Sequence, residues 1–512
     1  MLLKRLGWLL PASLALASPF LLKDAGKWIN RRMEPADVSQ RAQVTEYVVT
    51  EFGDPYPYRL QFVAQYRFVH QVGEFLVRRD PHQQIVGGAA ESWQIAPDRK
   101  SITFHLRPGG YTAEEVAQSL RRLLRSGQTT HSNLAAQTDE KSIRVEGPTQ
   151  LTLATRGDAG AILSPLVMAD AVLLPDDHWI GENRIDWTRS RGPYIHRSGS
   201  FPLKPGDSAV FVPNPAHYLH QAEQVDWKIE VLKESALASL SDLQRLLERS
   251  PGFVTMRFWP RNPLFRDGGT ADAASLPYFE TKPNGVAFIL PNRHGKLFAD
   301  ARARQALLKA AFNADLALAR PGLRARQIAQ PGLSGRLSAD EERAGQDKIA
   351  AYPGYEFKSP IRWAIPQGAY EDGAWARNVV RNLGLPSSTE DRTIYPSAKE
   401  WQAGEYDATF LGVGMSDTDP ISGATFLFAP TGADADLPDH SILAGLNQAK
   451  DNVDRAKITA ATKQAFATAL DAALIVPLHY IVNRHYHSPR LSLNIQDTFS
   501  ESINIWEVRV QR

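Results

Sequence analysis

GGAAESWQIAPDRKSITFHLRPG, residues 87–109, carries a strand and its punctuation in one short run. Ser101 to Leu106 alternates polar with apolar residues, the period of a half-buried β-strand. Arg107-Pro108-Gly109-Gly110 then reads as a turn, and Thr112 stands where it would cap a helix over Ala113–Leu124. Glu115 follows Thr112 by three places, the spacing of a capping box, in which each residue satisfies the other's free N–H. A strand, a tight turn and a capped helix in this order predict an α/β protein.

The same alternation continues on both sides. Gln43–Arg59 reads as a strand and a Pro-rich turn, and LQFVAQYRFVHQVGEFLV, residues 60–77, as a helix with apolar residues three and four apart. KSIRVEGPTQLTLATR (141–156) gives two strands about a Gly-Pro turn, and residues 190–232 form a sheet-rich module punctuated by Pro and Gly. KLFADARARQALLKAAFNADLALA (296–319) is helical, with Asp300 near its start, and the Gly-, Pro- and Arg-rich stretch 320–358 reads as a long surface excursion. IRWAIP, a helix-like 370–385, a strand around Arg392 to Tyr395, YDATFLGVG, and a closing helix and strand complete the chain.

Length and composition set broad limits. A chain of 512 residues suggests about three domains, and 43% hydrophobic with 22% charged residues is ordinary for a folded, water-exposed protein. A formal net charge of +2 argues against a surface-wide nucleic-acid footprint, and the lack of cysteine excludes disulfides, thiolate nucleophiles and Cys-ligated zinc. MLLKRLGWLLPASLALASPFLLKDAGK opens with Lys4 and Arg5 and then carries no charge from Leu6 to Leu22, with Ala15-Leu16-Ala17 matching a small-x-small cleavage site. This predicts export, with residues 1–22 either a cleaved signal peptide or a retained membrane anchor.

Catalytic spacings do not emerge. HExxH, GxSxG and GxxxxGK[ST] are missing, and Gly412 with Gly414 gives only the first half of a dinucleotide fingerprint. His479, His485 and His487 form the one histidine cluster; His485 and His487 would share a face of a strand, but no third ligand accompanies them, so no metal and no cofactor is expected. An enzyme reading therefore has nothing specific to stand on.

Several segments resemble, in order, the extracellular solute-binding proteins of family 5, which serve peptide-, oligopeptide- and nickel-type ABC importers. GGAAESWQIAPDRKSITFHLRPG resembles the family's "LAESW…D…ytFhLR.G", and TAEEVAQSLRRLL its next element. RGPYIHRSGSFPLKPGDSAVFVPNPAHYL resembles "GtGPY…w.pG….l.rNp.Yw", GKLFADARARQALLKAAFNADLAL resembles "pPfdDvrvRqAl..aiDr", and YDATFLGVGMSDTDP and VPLHY follow. The resemblance spans roughly residues 45 to 510 and rests on order and number, not on any one motif. It implies a two-lobed α/β fold of the periplasmic-binding-protein kind (type II, large cluster C), with hinge strands between lobes that close over a ligand. The implied layout is lobe I over 43–234 with a subdomain at about 60–150, lobe II over 235–478, and return strands over 479–512.

The resemblance also implies a site. LGVGMSDTDP (411–420) is similar to "GWxxDxxDP" of the peptide-binding relatives, whose first acidic residue pairs with the ligand's α-amino group. Without gaps that position is Ser416 here, the tryptophan position is Val413, and Asp417 is displaced by one place, which reverses facing on an extended chain. Asp419 before Pro420 suits a turn or a helix entry. Asp417, Ser416, Tyr406, Trp401 and Arg191 are the candidate ligand-binding residues. The family's "FhDGtp" insert is missing between Gly109 and Thr112, and the stretch near 235–290 matches poorly.

The implied function is an exported, periplasmic, monomeric substrate-binding protein that takes a small peptide or peptide-like solute to ABC permease subunits. It would touch membrane only through its N-terminal segment or that permease, and would not bind nucleic acid. The alternative is a membrane-anchored ligand-sensing or interaction protein on the same fold.

Overall fold

The computed structural model describes residues 41–512 apart from 49–51, 60–62, 81–83, 127–133, 183, 233–239, 258–275, 317, 319–320, 334, 367–372, 393–397, 415–441, 443–444, 447–454, 494–502 and 512. The N-terminal segment 1–22, read as signal peptide or anchor, lies outside them. Among the described residues no helix is long and apolar enough to cross a membrane.

In chain order the main elements are β1 (Gln43–Val48), helix α1 (Val63–Val72), β2 (Val77–Arg79), β3 (Ile85–Gly87), β4 (Ala90–Ile95), β5 (Ser101–Leu106), α2 (Ala113–Ser126), β6 (Ile143–Gly147) and β7 (Gln150–Ala154). They are followed by β8 (Tyr194–Ser198), β9 (Ser208–Pro213), β10 (Asp226–Val231), α3 (Leu240–Arg249), β11 (Gly252–Arg257), β12 (Tyr278–Glu280) and β13 (Gly285–Pro291). Then come α4 (Ala301–Asn313), α5 (Ala339–Ala350), β14 (Ile361–Pro366), α6 (Gly373–Asn382), β15 (Ser387–Arg392), β16 (Ala408–Gly414), α7 (Arg455–Asp471), β17 (Val476–Ile481) and β18 (Asn483–His487).

These strands build a seven-stranded sheet in the order β12-β18-β11-β1-β10-β9-β8 and a five-stranded sheet in the order β15-β14-β16-β13-β17. A four-stranded antiparallel sheet, β4-β5-β7-β6, packs with α2 as a separate layer. β11 and β12, which fall in the span 235–478 read as lobe II, are hydrogen-bonded into the seven-stranded sheet beside β1 and β18.

The capped helix appears where the sequence placed it. Thr112 Oγ1 accepts from the Glu115 amide at 3.2 Å, and the Glu115 carboxylate accepts from the Thr112 amide at 2.7 Å. Its buried face, Val116, Ala117, Leu120 and Leu123, lies against Ile102, Phe104, Leu151 and Leu153 of the sheet. Asp300 is the N-cap of α4, its carboxylate accepting from the Arg302 amide at 2.9 Å.

Three elements differ from the sequence reading. The helix expected over 60–77 ends at Val72; the next residue, Gly73, packs so closely that a Cβ there would sit 2.3 Å from Val172 and 2.6 Å from the Val69 carbonyl. The excursion 320–358 contains α5, opened by a second capping box between Ser338 and Glu341. The strand expected around Arg392 to Tyr395 begins earlier, at Ser387, and is described as far as Arg392, residues 393–395 lying outside the described residues; Ser387–Asp391 are exposed, so no apolar alternation announced that start.

Packing follows burial. β13, GVAFILP, is buried along its whole length and reads as a continuous apolar run, as a strand covered on both faces must. Val286, Phe288 and Leu290 enter one core with Leu411 and Phe466, while Ile289 enters the other with Trp363, Trp375 and Phe410. In the larger sheet, Val44, Val48, Trp227, Ile229 and Phe253 meet Phe68, Val69 and Val72 of α1.

Candidate binding site at the strand crossing

Among the described strands the chain passes between the two large sheets twice, and both passages lie side by side. β12 leads through residues 281–284 into β13, and β17 leads through Val482 into β18. Since β12 pairs with β18 and β13 with β17, one antiparallel ribbon is common to both sheets. Register shifts at the passage: Glu280 is opposite Arg484, whereas Gly285 is opposite Ile481. The extra residues sit on the 281–284 side, and Pro283, which has no N–H to give a ladder, lies among them. Such a bulge bends a ribbon locally and gives two packed bodies a place to pivot.

The backbone of the crossing is well bonded. The Thr281 amide donates to the Asn483 carbonyl and the Asn284 amide to the Ile481 carbonyl, each at 2.9 Å. The Asn483 amide donates to Thr281 Oγ1 at 2.9 Å. The side chains of Asn284 and Asn483 are 3% and 0% exposed as residues, and neither their Nδ2 nor their Oδ1 atoms have a hydrogen-bond partner. Leaving one buried polar group unpaired costs about 1–3 kcal/mol, so four such atoms at one crossing are unusual.

A histidine flanks the crossing on each side. His479, in β17, stacks on Trp375 at 5.0 Å between ring centroids, and burial, with Arg324 nearby, pulls it down to about 3. His485, in β18, stacks on Phe279 at 6.0 Å, and burial, then Arg67 and His487, hold it well below the ordinary range. Both imidazoles are neutral at neutral pH. His479 and His485 belong to different sheets, and among the described residues no group of three or more His, Asp or Glu side chains is placed to hold a metal ion.

His485 ends a buried polar chain across the larger sheet. Glu46 of β1 pairs with Arg67 of α1; Arg67 Nη2 donates to Thr255 Oγ1 at 2.8 Å, and that hydroxyl lies 2.9 Å from His485 Nδ1. Burial pushes the Glu46 carboxyl above its ordinary value against the opposing pull of Arg67.

The candidate residues read from sequence occupy three places. β16 ends at Gly414 opposite Gly285, the residue after Asn284, so the strand that holds the first four residues of LGVGMSDTDP runs to the crossing; Ser416, Asp417 and Asp419 lie outside the described residues. Trp401 and Tyr406 precede the other end of β16, buried in one core. The Tyr406 hydroxyl donates to Glu390 at 2.8 Å and accepts from Arg392 at 3.0 Å, while Asn292 Nδ2 donates to the carbonyls of Trp401 and Tyr406, each at 2.8 Å. Arg191 sits beside α2, donating to Glu115 at 2.8 Å with its guanidinium 4.7 Å from the centre of the Tyr111 ring. Burial raises the Glu115 carboxyl, but the bonds from the Thr112 amide and Arg191 outweigh it and hold the group below its usual range. The structure thus does not bring Arg191 together with Tyr406 and Trp401.

Thr281, Asn284 and Asn483 escaped the sequence reading. Their one signal is polarity out of place: TKPN precedes the apolar GVAFIL, and a lone Asn interrupts LHYIVNRHYH.

Comparison with known proteins places this geometry. No curated protein sequence matches the chain. Residues 84–317 match the family described as bacterial extracellular solute-binding proteins, family 5 Middle. The murein tripeptide binding protein MppA of Escherichia coli is similar in structure, with a TM-score of 0.73 at 16% identity over 92% of this chain and 99% of that one. NikA from Brucella suis, solved with Fe(III)-EDTA, gives 0.73 at 16% over 92% and 100%. OppA of Haemophilus influenzae, solved with the peptide RPPGFSPFR, gives 0.71 at 14% over 92% and 99%. At such identities the likeness speaks for the two-lobed α/β fold. Residues 84–317 thus match the model of that family, and the chain shares the two-lobed α/β fold of these solved binding proteins.

Proposed function

We propose that this protein is an exported substrate-binding protein that holds a peptide-like or other small polar solute between two lobes and delivers it to an ABC permease. The observation that carries the reading is the bulged ribbon common to both sheets: it joins the two bodies by two adjacent passages, the connection that hinge closure over a solute requires. In this reading lobe I is built on the seven-stranded sheet with the four-stranded layer as its subdomain, and lobe II on the five-stranded sheet. β18 and the residues after it return the chain to lobe I.

Asp417 is the ligand-amine partner in this proposal, with Ser416 beside it. What supports them is the course of β16, which ends at the crossing. A carboxylate there would make a charge-assisted bond to an ammonium group, stronger than a neutral one. Tyr406 and Trp401 support the far end of β16, and Arg191 holds the start of α2 through Glu115.

The test is the melting temperature of the purified protein against di- to tetrapeptides, amino-acid conjugates, sugars and metal chelates. A ligand at ~100 times its Kd adds about 2.7 kcal/mol. Peptides are expected to raise Tm, and Asp417→Asn to remove the rise. If none of these solutes shifts Tm, the transport reading fails and the anchored sensing or interaction protein replaces it.

A further inference from the structure

β13 is bracketed by two buried asparagines with opposite fates. Asn292, 0% exposed and just past its end, is fully used: Nδ2 donates to Trp401 and Tyr406, and Oδ1 accepts from the His294 amide at 3.0 Å. Asn284, just before its start, is equally buried and has no hydrogen-bond partner for either side-chain atom. Asn483, across the ribbon, is in the same condition. Of these three buried asparagines, the one past the end of β13 is satisfied, and the two at the passage between the sheets are not.

Buried polar atoms without partners in a native fold call for an explanation, and a partner supplied from outside is one. A carboxamide offers two N–H donors and a carbonyl acceptor, so its complement must carry both an acceptor and a donor. A peptide group does so; a carboxylate offers only acceptors, and an ammonium only donors. The nearest charged pair on the ribbon, Arg484 with Glu280 at 2.8 Å, is already closed on itself. The main chain at the crossing is also occupied, by the bonds between Thr281 and Asn483 and between Asn284 and Ile481, which leaves the side chains as the free element.

We infer that Asn284 and Asn483 are specificity-determining residues whose carboxamides receive a neutral donor-and-acceptor group of the solute, a peptide group or its equivalent, when the lobes part and close again at this ribbon. The inference rests on the solute-binding reading above and adds to it the recognition of an uncharged part of the ligand, separate from the amine assigned to Asp417.

The test compares the full-length protein with Asn284→Leu and Asn483→Leu, using an equimolar mixture of di-, tri- and tetra-alanine as probe. Leucine is close in size and carries no polar atoms, so without probe each variant is expected to melt above the wild type, because an unpaired buried amide has been removed. The probe is expected to bind each variant roughly tenfold or more weakly, the scale of one lost buried hydrogen bond. Asn284→Ala and Asn483→Ala guard against poor packing of leucine: a cavity lowers their Tm, but the same loss of affinity is expected. A rise in Tm with unchanged probe affinity would overturn the inference, as would leucine variants that melt lower while alanine variants bind the probe normally. If the wild type binds none of the three peptides, the solute-binding reading fails and takes this inference with it. If the wild type and all four variants bind alike, only the inference fails.

Discussion

Thr281 and Asn483 tie the two passages of the chain together: the Thr281 amide donates to the Asn483 carbonyl, and the Asn483 amide donates back to Thr281 Oγ1, both at 2.9 Å. One of these bonds runs through a side chain because the bulge moves the ladder out of register at this point. A threonine hydroxyl here substitutes for a missing backbone acceptor, and both residues are buried.

Thr281→Val keeps the shape and removes that acceptor, leaving the Asn483 N–H buried and unpaired. The expected cost is about 1–3 kcal/mol, read as a lower urea midpoint. The Asn483 amide should also exchange with deuterium faster than its neighbours in β18. Wild-type exchange at that amide would show that another acceptor takes over.

Arg67→Met should be far more damaging than its position on a helix suggests. It strands the buried Glu46 carboxylate, a loss of about 3–5 kcal/mol, and much of the loss should return in the double variant Arg67→Met/Glu46→Leu. The pH dependence supplies a second reading. Glu46 is already raised above 4.5 in the fold, chiefly by burial. A carboxyl that binds its proton more tightly folded than unfolded contributes most stability below 4.5 and loses it as pH climbs through the raised value. Removing Arg67 should extend that decline to higher pH, so the variant gains on the wild type in mild acid. Parallel stability curves for the two proteins from pH 4 to 8 would refute the argument.

Acid should also weaken the protein through its buried histidines. His70 and His479 are each lowered to about 3, mainly by burial, with Arg78 and Arg79 adding to the shift at His70 and Arg324 at His479. The unfolded chain takes up protons near 6.5 while the fold refuses them, so stability is complete above 6.5 and falls as pH drops toward 3. Each such histidine contributes at most about 1.4 kcal/mol per pH unit. His479→Gln, which cannot titrate, should show a shallower slope of urea-unfolding free energy between pH 6 and 4. An unchanged slope would place the acid sensitivity elsewhere.

Much of the architecture could be read from local signals. The capping box at Thr112 and Glu115, the cap at Asp300 and the alternation of Ser101–Leu106 depend on neighbours a few residues away, and each is present in the structure. The glycines of the family-like segments have a tertiary reason instead. A Cβ on Gly88 would meet the Phe75 carbonyl at 2.2 Å, and one on Gly192 the Val72 carbonyl at 2.2 Å, so only glycine lets these backbones approach. Where no local signal exists the reading missed: Ser387–Arg392 is a strand because β14 lies beside it, not because its exposed residues favour one.

The site divides in the same way. Sequence alone determined the strand-and-helix order, the apolar faces and the segment LGVGMSDTDP as one to watch, since periodicity and turn chemistry act over a few residues. Only the tertiary structure decided that Arg191 stands apart from Tyr406, and that Thr281, Asn284 and Asn483 meet at one crossing. The physical reason is separation along the chain: Thr281 and Asn483 are some 200 residues apart, and an unpaired amide is defined by what fails to surround it, which no local pattern records.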